Sequence, residues 1–84
     1  MKEKVYKNEG DVKEVVKKVL KDHGAKCWWF MPPANGYGRA GIPDFVGALD
    51  GHMFCVETKF GPGKPTMNQL REMTLAEVAG VKVW

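Results

Sequence analysis

Eighty-four residues, 44% hydrophobic and 27% charged, have the composition of one small globular domain. A net charge of +3 is compatible with a nucleic-acid partner, while ten acidic residues exclude a polycationic packaging protein. No apolar run approaches the roughly 20 residues that cross a bilayer, and the charged start MKEKVYKNEGD has no apolar stretch behind it, so neither a membrane anchor nor a signal peptide is expected.

A chain this short buries a modest core, which a disulfide, a metal or a partner subunit usually supplements. Cys27 and Cys55 have no CxxC spacing, and each lies in an apolar run where a free thiol packs as a small hydrophobe. With His23 and His52 they form no finger-like ligand pattern, so a structural zinc is not expected. Free cysteines without an export signal point to the cytosol, and a partner subunit is left as the supplement.

In chain order, Val12, Val15, Val16, Val19 and Leu20 recur at helical spacing, which predicts a helix over 11–23 with Lys13, Lys17, Lys18 and Lys21 on a solvated side. Gly24 stops it, as a glycine after a helix commonly does. Residues 26–31 are rich in aromatics and predict a strand that Pro32 and Pro33 end. The run ANGYGRAG over 34–41 is a glycine-rich loop, and 43–49 predicts a second strand. Asp50-Gly51 is a type I′ hairpin signal, so a third strand over 52–59 runs antiparallel to the second. After Gly61-Pro62-Gly63, Thr66 starts a second helix, with Met67, Leu70, Met73, Thr74 and Val78 expected toward the core. Gly80 ends that helix and 81–84 predicts a closing strand. The expected fold is α/β in αβββαβ order, a central mixed sheet flanked by helices.

The chemistry sits at one end of the hairpin. Alternation puts Cys55, Glu57 and Lys59 on one face of the third strand and Phe54, Val56 and Thr58 on the other. A turn at Asp50-Gly51 pairs Leu49 with His52, and the same register sets Asp44 opposite Glu57. Carboxylates facing each other at about 5 Å repel unless a cation lies between them. Hard oxygen ligands on a partly open site suit Mg²⁺ or Mn²⁺, which keep several waters and bind substrate phosphate. Such an ion activates water, and a neighbouring lysine, here Lys59, stabilises charge on a phosphoryl oxygen. An E-x-K triplet alone is commonplace and a surface Asp–Glu–Lys cluster can be a solvated ion pair. The combination of Pro43-Asp44, a hairpin in this register, Glu57-x-Lys59 and flanking helices is what points to phosphodiester hydrolysis.

The run Gly41-Ile42-Pro43-Asp44, then Glu57-Thr58-Lys59, then a helix carrying Gln69 resembles the VRR-NUC family of PD-(D/E)xK nucleases over nearly the whole chain, residues 8–84. The resemblance implies a restriction-endonuclease-like core and a Mg²⁺- or Mn²⁺-dependent DNA endonuclease. Short stand-alone viral and bacterial forms of the family act as homodimers on branched DNA, much as Holliday-junction resolvases do. By this resemblance Asp44 and Glu57 match the metal ligands, the Thr58 carbonyl a further ligand, and Lys59 the catalytic lysine. Glu9 matches an acid of the first helix that faces the metal, and Gln69 a glutamine that touches the site.

Other readings stand beside these. Thr66-x-x-Gln69 is a capping box, which explains Gln69 without catalysis. Glu9 in a first turn favours the helix dipole, although it also falls on the inward stripe with Val12 and Val16. Tyr37 and Arg39, held between glycines, suit base stacking and phosphate contact, or the loop is a plain connector; Lys64 is a candidate backbone contact. Trp28 and Trp29 must face opposite sides of their strand, and with Trp84 they suggest a subunit interface. A two-fold dimer would match the symmetry of a four-way junction. The alternatives are a flap or nicking nuclease on the same fold, or a nucleic-acid-binding or assembly module without catalysis.

Overall fold

A computed structural model describes residues 9–33, 39–59 and 64–84, the side chain of Glu9 excepted. The elements follow in αβββαβ order: α1 (Glu9–Asp22), β1 (Cys27–Phe30), β2 (Phe45–Leu49), β3 (His52–Val56), α2 (Met67–Val78) and β4 (Lys82–Val83). An unanticipated 3-10 turn, Gly24–Lys26, joins α1 to β1 where Gly24 takes a φ of +64°. The strands form one mixed sheet in the order β1-β2-β3-β4. β1, β2 and β3 pair antiparallel, and β4 lies parallel to β3. A parallel pair needs a crossover between its strands, and α2 provides it. Asp50 and Gly51 both have positive φ, as a type I′ turn requires, and Leu49 faces His52.

The register divides the sheet into two faces. Phe45 and Phe54 point to the α1 side and form a core cluster with Leu20, against which Val16, Trp29 and Val56 pack. The Trp29 and Phe45 ring centroids are 5.7 Å apart. Cys55 points the other way and has Glu77 of α2 as an electrostatic neighbour. Trp28 shares that second face with Phe30, centroids 5.5 Å apart, and remains 67% exposed. The two tryptophans thus part as alternation demands. Cys27 and Cys55 are free thiols, and burial pushes both pKa values up.

Three expectations change. The strands are shorter at the site end: β2 begins at Phe45 instead of 43, and β3 ends at Val56 instead of 59. Beyond that pair the Thr58 amide donates to the Asp44 carboxylate, so a side chain replaces the ladder acceptor. The inward stripe of α2 is also different. Met67 and Val78 are 80% and 84% exposed, and Leu70 and Thr74 face outward as well. Gln69, Glu72, Met73 and Ala76 turn inward, because Glu72 and Gln69 have polar partners beneath the helix. Val19, finally, is exposed: α1 and the sheet leave an apolar groove of ≈ 390 Å³ whose lining includes Val15, Val19, His23 and Trp84. Among the described residues, no helix is long and apolar enough to cross a membrane.

Candidate functional site

Asp44 immediately precedes β2 and Glu57 immediately follows β3. Because the last pair of the ladder is Phe45 with Val56, one step outward brings Asp44 and Glu57 together at the open end of the hairpin. Asp44 is held on both oxygens. The Thr58 amide donates to its Oδ2 at 3.0 Å and the Thr58 hydroxyl to the same oxygen at 2.6 Å. The Lys13 ammonium lies 3.7 Å from Oδ1. Partial burial pushes the carboxyl pKa up, but the Thr58 hydroxyl and amide, Lys13 and a hydrogen bond with Glu57 outweigh it. The net effect is a pKa below the ordinary aspartate value, so Asp44 is ionised at neutral pH.

The Thr58 side chain is a correction to the strand reading. Strict alternation turned it away from Asp44 and Glu57, yet it is 3% exposed and directed at Asp44. Extended pairing ends at Val56, so the period-two rule no longer governs residues 57–59. Lys13 is a second correction. Instead of lying in a solvated row it reaches from α1 to within 3.7 Å of Asp44. Lys17, one turn on and 30% exposed, pairs with the exposed Glu14 instead.

Glu57 is positioned by the end of the chain and by α2. Its amide donates to the Trp84 carbonyl at 2.8 Å, and Trp84 donates back to the Cys55 carbonyl at 3.0 Å. Its Oε1 accepts from Gln69 Nε2 at 3.1 Å, and its Oε2 is buried. The capping box and the site contact, rivals in the sequence, coexist in Gln69. The side-chain oxygen accepts from the Thr66 amide at 2.8 Å, the Gln69 amide donates to Thr66 Oγ1 at 3.2 Å, and the side-chain nitrogen remains for Glu57. A glutamate at this position would also close a capping box, but it has no donor to offer a carboxylate.

The N-terminal half of α2 is itself held against the segment before Asp44. Arg39 donates from Nε to Glu72 Oε1 at 2.9 Å, with its Nη2 also 2.9 Å from that oxygen. Gly41, at φ +81°, lies so close to α2 that a Cβ there would stand 2.3 Å from the Asn68 carbonyl oxygen. Arg39, a candidate for phosphate contact, is therefore engaged by a buried glutamate, although its own side chain is 65% exposed. Lys59 is half-buried just past Thr58, and the ammonium paired with Asp44 is that of Lys13. Lys64 is exposed ahead of α2. Glu9 opens α1, but its side chain lies outside the described residues, as does the whole of Tyr37.

Among the described residues no three His, Cys, Asp or Glu side chains converge on one point. The donor set that does converge is two carboxylates, Asp44 and Glu57, adjacent to each other. A pair of hard oxygen ligands fits Mg²⁺ or Mn²⁺, which bind through one or two carboxylates together with waters and substrate phosphate. Sequence reasoning missed Lys13, the Thr58 hydroxyl, and the Arg39–Glu72 pair. Lys13 was within reach of it: Lys13 stands four residues after Glu9, so a helix that turns Glu9 inward turns Lys13 with it. Glu72 falls at i+3 from Gln69, on the stripe that a site role for Gln69 requires. No protein-family model, curated protein or solved structure matches this chain.

Proposed function

We propose that this chain is a Mg²⁺- or Mn²⁺-dependent DNA endonuclease of the PD-(D/E)xK type, with a restriction-endonuclease-like core, acting on branched DNA as a homodimer. The observation that carries the reading is the meeting of Asp44 and Glu57 beyond the last hairpin pair, each fixed by independent donors. Two carboxylates in contact without a proton or cation between them repel, and the surrounding donors keep Asp44 charged.

In this reading Asp44 Oδ1 and Glu57 are the ligand oxygens, since Oδ2 of Asp44 is already committed to Thr58. With the amide and hydroxyl of Thr58 on Asp44, its carbonyl is the group left for the further ligand role that the family resemblance implies. A divalent ion so held would supply a Lewis acid for the phosphate and a lowered pKa for the attacking water. Gln69 keeps Glu57 in its ligating orientation, and Arg39 with Gly41 keeps α2 near enough for Gln69 to do so. Lys59 is the proposed stabiliser of charge on the phosphoryl oxygens. Exposed Trp28, Phe30 and Met53 on one sheet face support a partner surface, for which a second copy of the chain is the proposed occupant. A monomer mass at micromolar concentration would remove the dimer from the proposal.

The test is cleavage of labelled four-way junction, flap, linear duplex and single-stranded DNA with Mg²⁺ or Mn²⁺, comparing wild type with Asp44→Asn. Symmetric junction cutting that the substitution abolishes is the expected result. Asp44-dependent cutting of flaps or nicking of duplex would retain the nuclease and discard junction resolution. Absence of any Asp44-dependent cleavage would leave a nucleic-acid-binding or assembly module.

A further inference from the structure

Lys13 belongs to α1, outside the hairpin that carries Asp44 and Glu57. Its ammonium nevertheless pairs with Oδ1 of Asp44, the carboxylate oxygen that Thr58 leaves open. At 3.7 Å the contact is longer than the 2.7–2.9 Å typical of a direct N⁺–H···O⁻ hydrogen bond, so it is an electrostatic partnership that can be surrendered. The lysine has somewhere to go: its side chain is 32% exposed, while that of Asp44 is 20% exposed. Thr58 holds the carboxylate in place whether or not the lysine stays.

We infer that Lys13 is a built-in counter-cation of the Asp44–Glu57 pair, occupying the flank of Asp44 Oδ1 that a divalent ion would take and competing with that ion for it. This rests on the reading of Asp44 and Glu57 as metal ligands. At 3.7 Å the ammonium offsets part of the negative charge there, beside the two Thr58 hydrogen bonds that also hold Asp44. A divalent ion arriving at Oδ1 must displace the ammonium or accept a like charge beside it, and either lowers its affinity. Lys13 is thus a positioning residue whose loss has two opposite consequences. The protein without metal becomes less stable, and its affinity for the ion rises. A surface ion pair of merely structural value would give the first effect and not the second.

The experiment is titration calorimetry of Mn²⁺ into the full chain without DNA, on wild type, Lys13→Met, Lys13→Arg, Lys17→Met and Asp44→Asn. Lys17→Met removes the same formal charge one turn away, from a lysine that pairs with Glu14, and so controls for net charge. Lys13→Met is expected to bind Mn²⁺ about 1.5- to fivefold more tightly than wild type, the range of a partly solvated ion pair. Its melting temperature without metal is expected to fall below that of Lys17→Met. Lys13→Arg, which keeps the charge, should stay near wild type. Equal or weaker Mn²⁺ binding by Lys13→Met than by Lys17→Met, with Asp44-dependent binding in wild type, overturns the inference and leaves the metal site standing. Wild-type binding that Asp44→Asn does not reduce overturns both, because no ion is then competing at Asp44.

Discussion

Gln69 is where the fold and the candidate site make opposing demands on one side chain, and Gln69→Glu separates them. The substitution keeps the acceptor that closes the capping box on the Thr66 amide. It replaces the donor at Nε2, 3.1 Å from Glu57 Oε1, with a second carboxylate oxygen. A hydrogen bond to a charged acceptor is worth about 1.5–3 kcal/mol, and the like-charge contact adds to its loss, with a discount for the half-exposed position of Gln69. The expected destabilisation at pH 7.5 is about 2–3 kcal/mol, which for a domain of this size is roughly 10–20 °C in Tm. Urea unfolding followed by tryptophan fluorescence measures it as a shift in midpoint at constant slope. A variant within about 0.5 kcal/mol of wild type at pH 7.5, a difference typical of a neutral surface change, would refute the Gln69–Glu57 contact.

Thr58→Val removes the hydroxyl that donates to Asp44 at 2.6 Å and should cost about 1.5–3 kcal/mol at pH 7. Since the folded pKa of Asp44 is depressed, that stability exists above the unfolded value of about 3.9 and disappears as pH falls through the folded value, so urea midpoints of the two proteins should converge in acid. Gly41→Ala places a Cβ 2.3 Å from a backbone carbonyl at φ +81°, whereas Gly24→Ala, at φ +64°, meets nothing within 4 Å. Thermal melts should show a loss of about 3 kcal/mol or more for the first, from overpacking plus left-handed strain, and about 1–2 kcal/mol for the second. Arg39→Ala leaves Glu72 buried without its cation and should cost about 1–2 kcal/mol, the guanidinium being largely solvated; amide exchange at the start of α2 should quicken. An unchanged exchange rate there would mean that Arg39 does not hold the helix.

The element order, the hairpin and the pairing of Asp44 with Glu57 were legible in the chain, because each follows from local rules. An Asp-Gly turn leaves one register available, and a register propagates residue by residue to the strand ends. Trp28 and Trp29 were separable for the same reason, two adjacent side chains on a pleated strand having no other choice. Local rules lapse where pairing stops: once its amide bonds to Asp44, alternation has no hold on Thr58, and its hydroxyl joins the carboxylate instead of facing away. Hydrophobicity alone points to the wrong face of α2. Its apolar stripe, Met67, Leu70 and Val78, faces outward, and a polar stripe is turned in by Glu57 and Arg39, residues 12 and 33 positions from their partners in the chain. Lys13 belongs to the same class, since its proximity to Asp44 exists only after α1 has packed on the sheet. The sequence by itself determined the elements, the hairpin register and the two carboxylates, because backbone geometry transmits those over a few residues. Only the tertiary structure decided which charges sit against them, because electrostatic partners are chosen by distance in space, and that distance is set by the packing of helices whose spacing along the chain carries no such information.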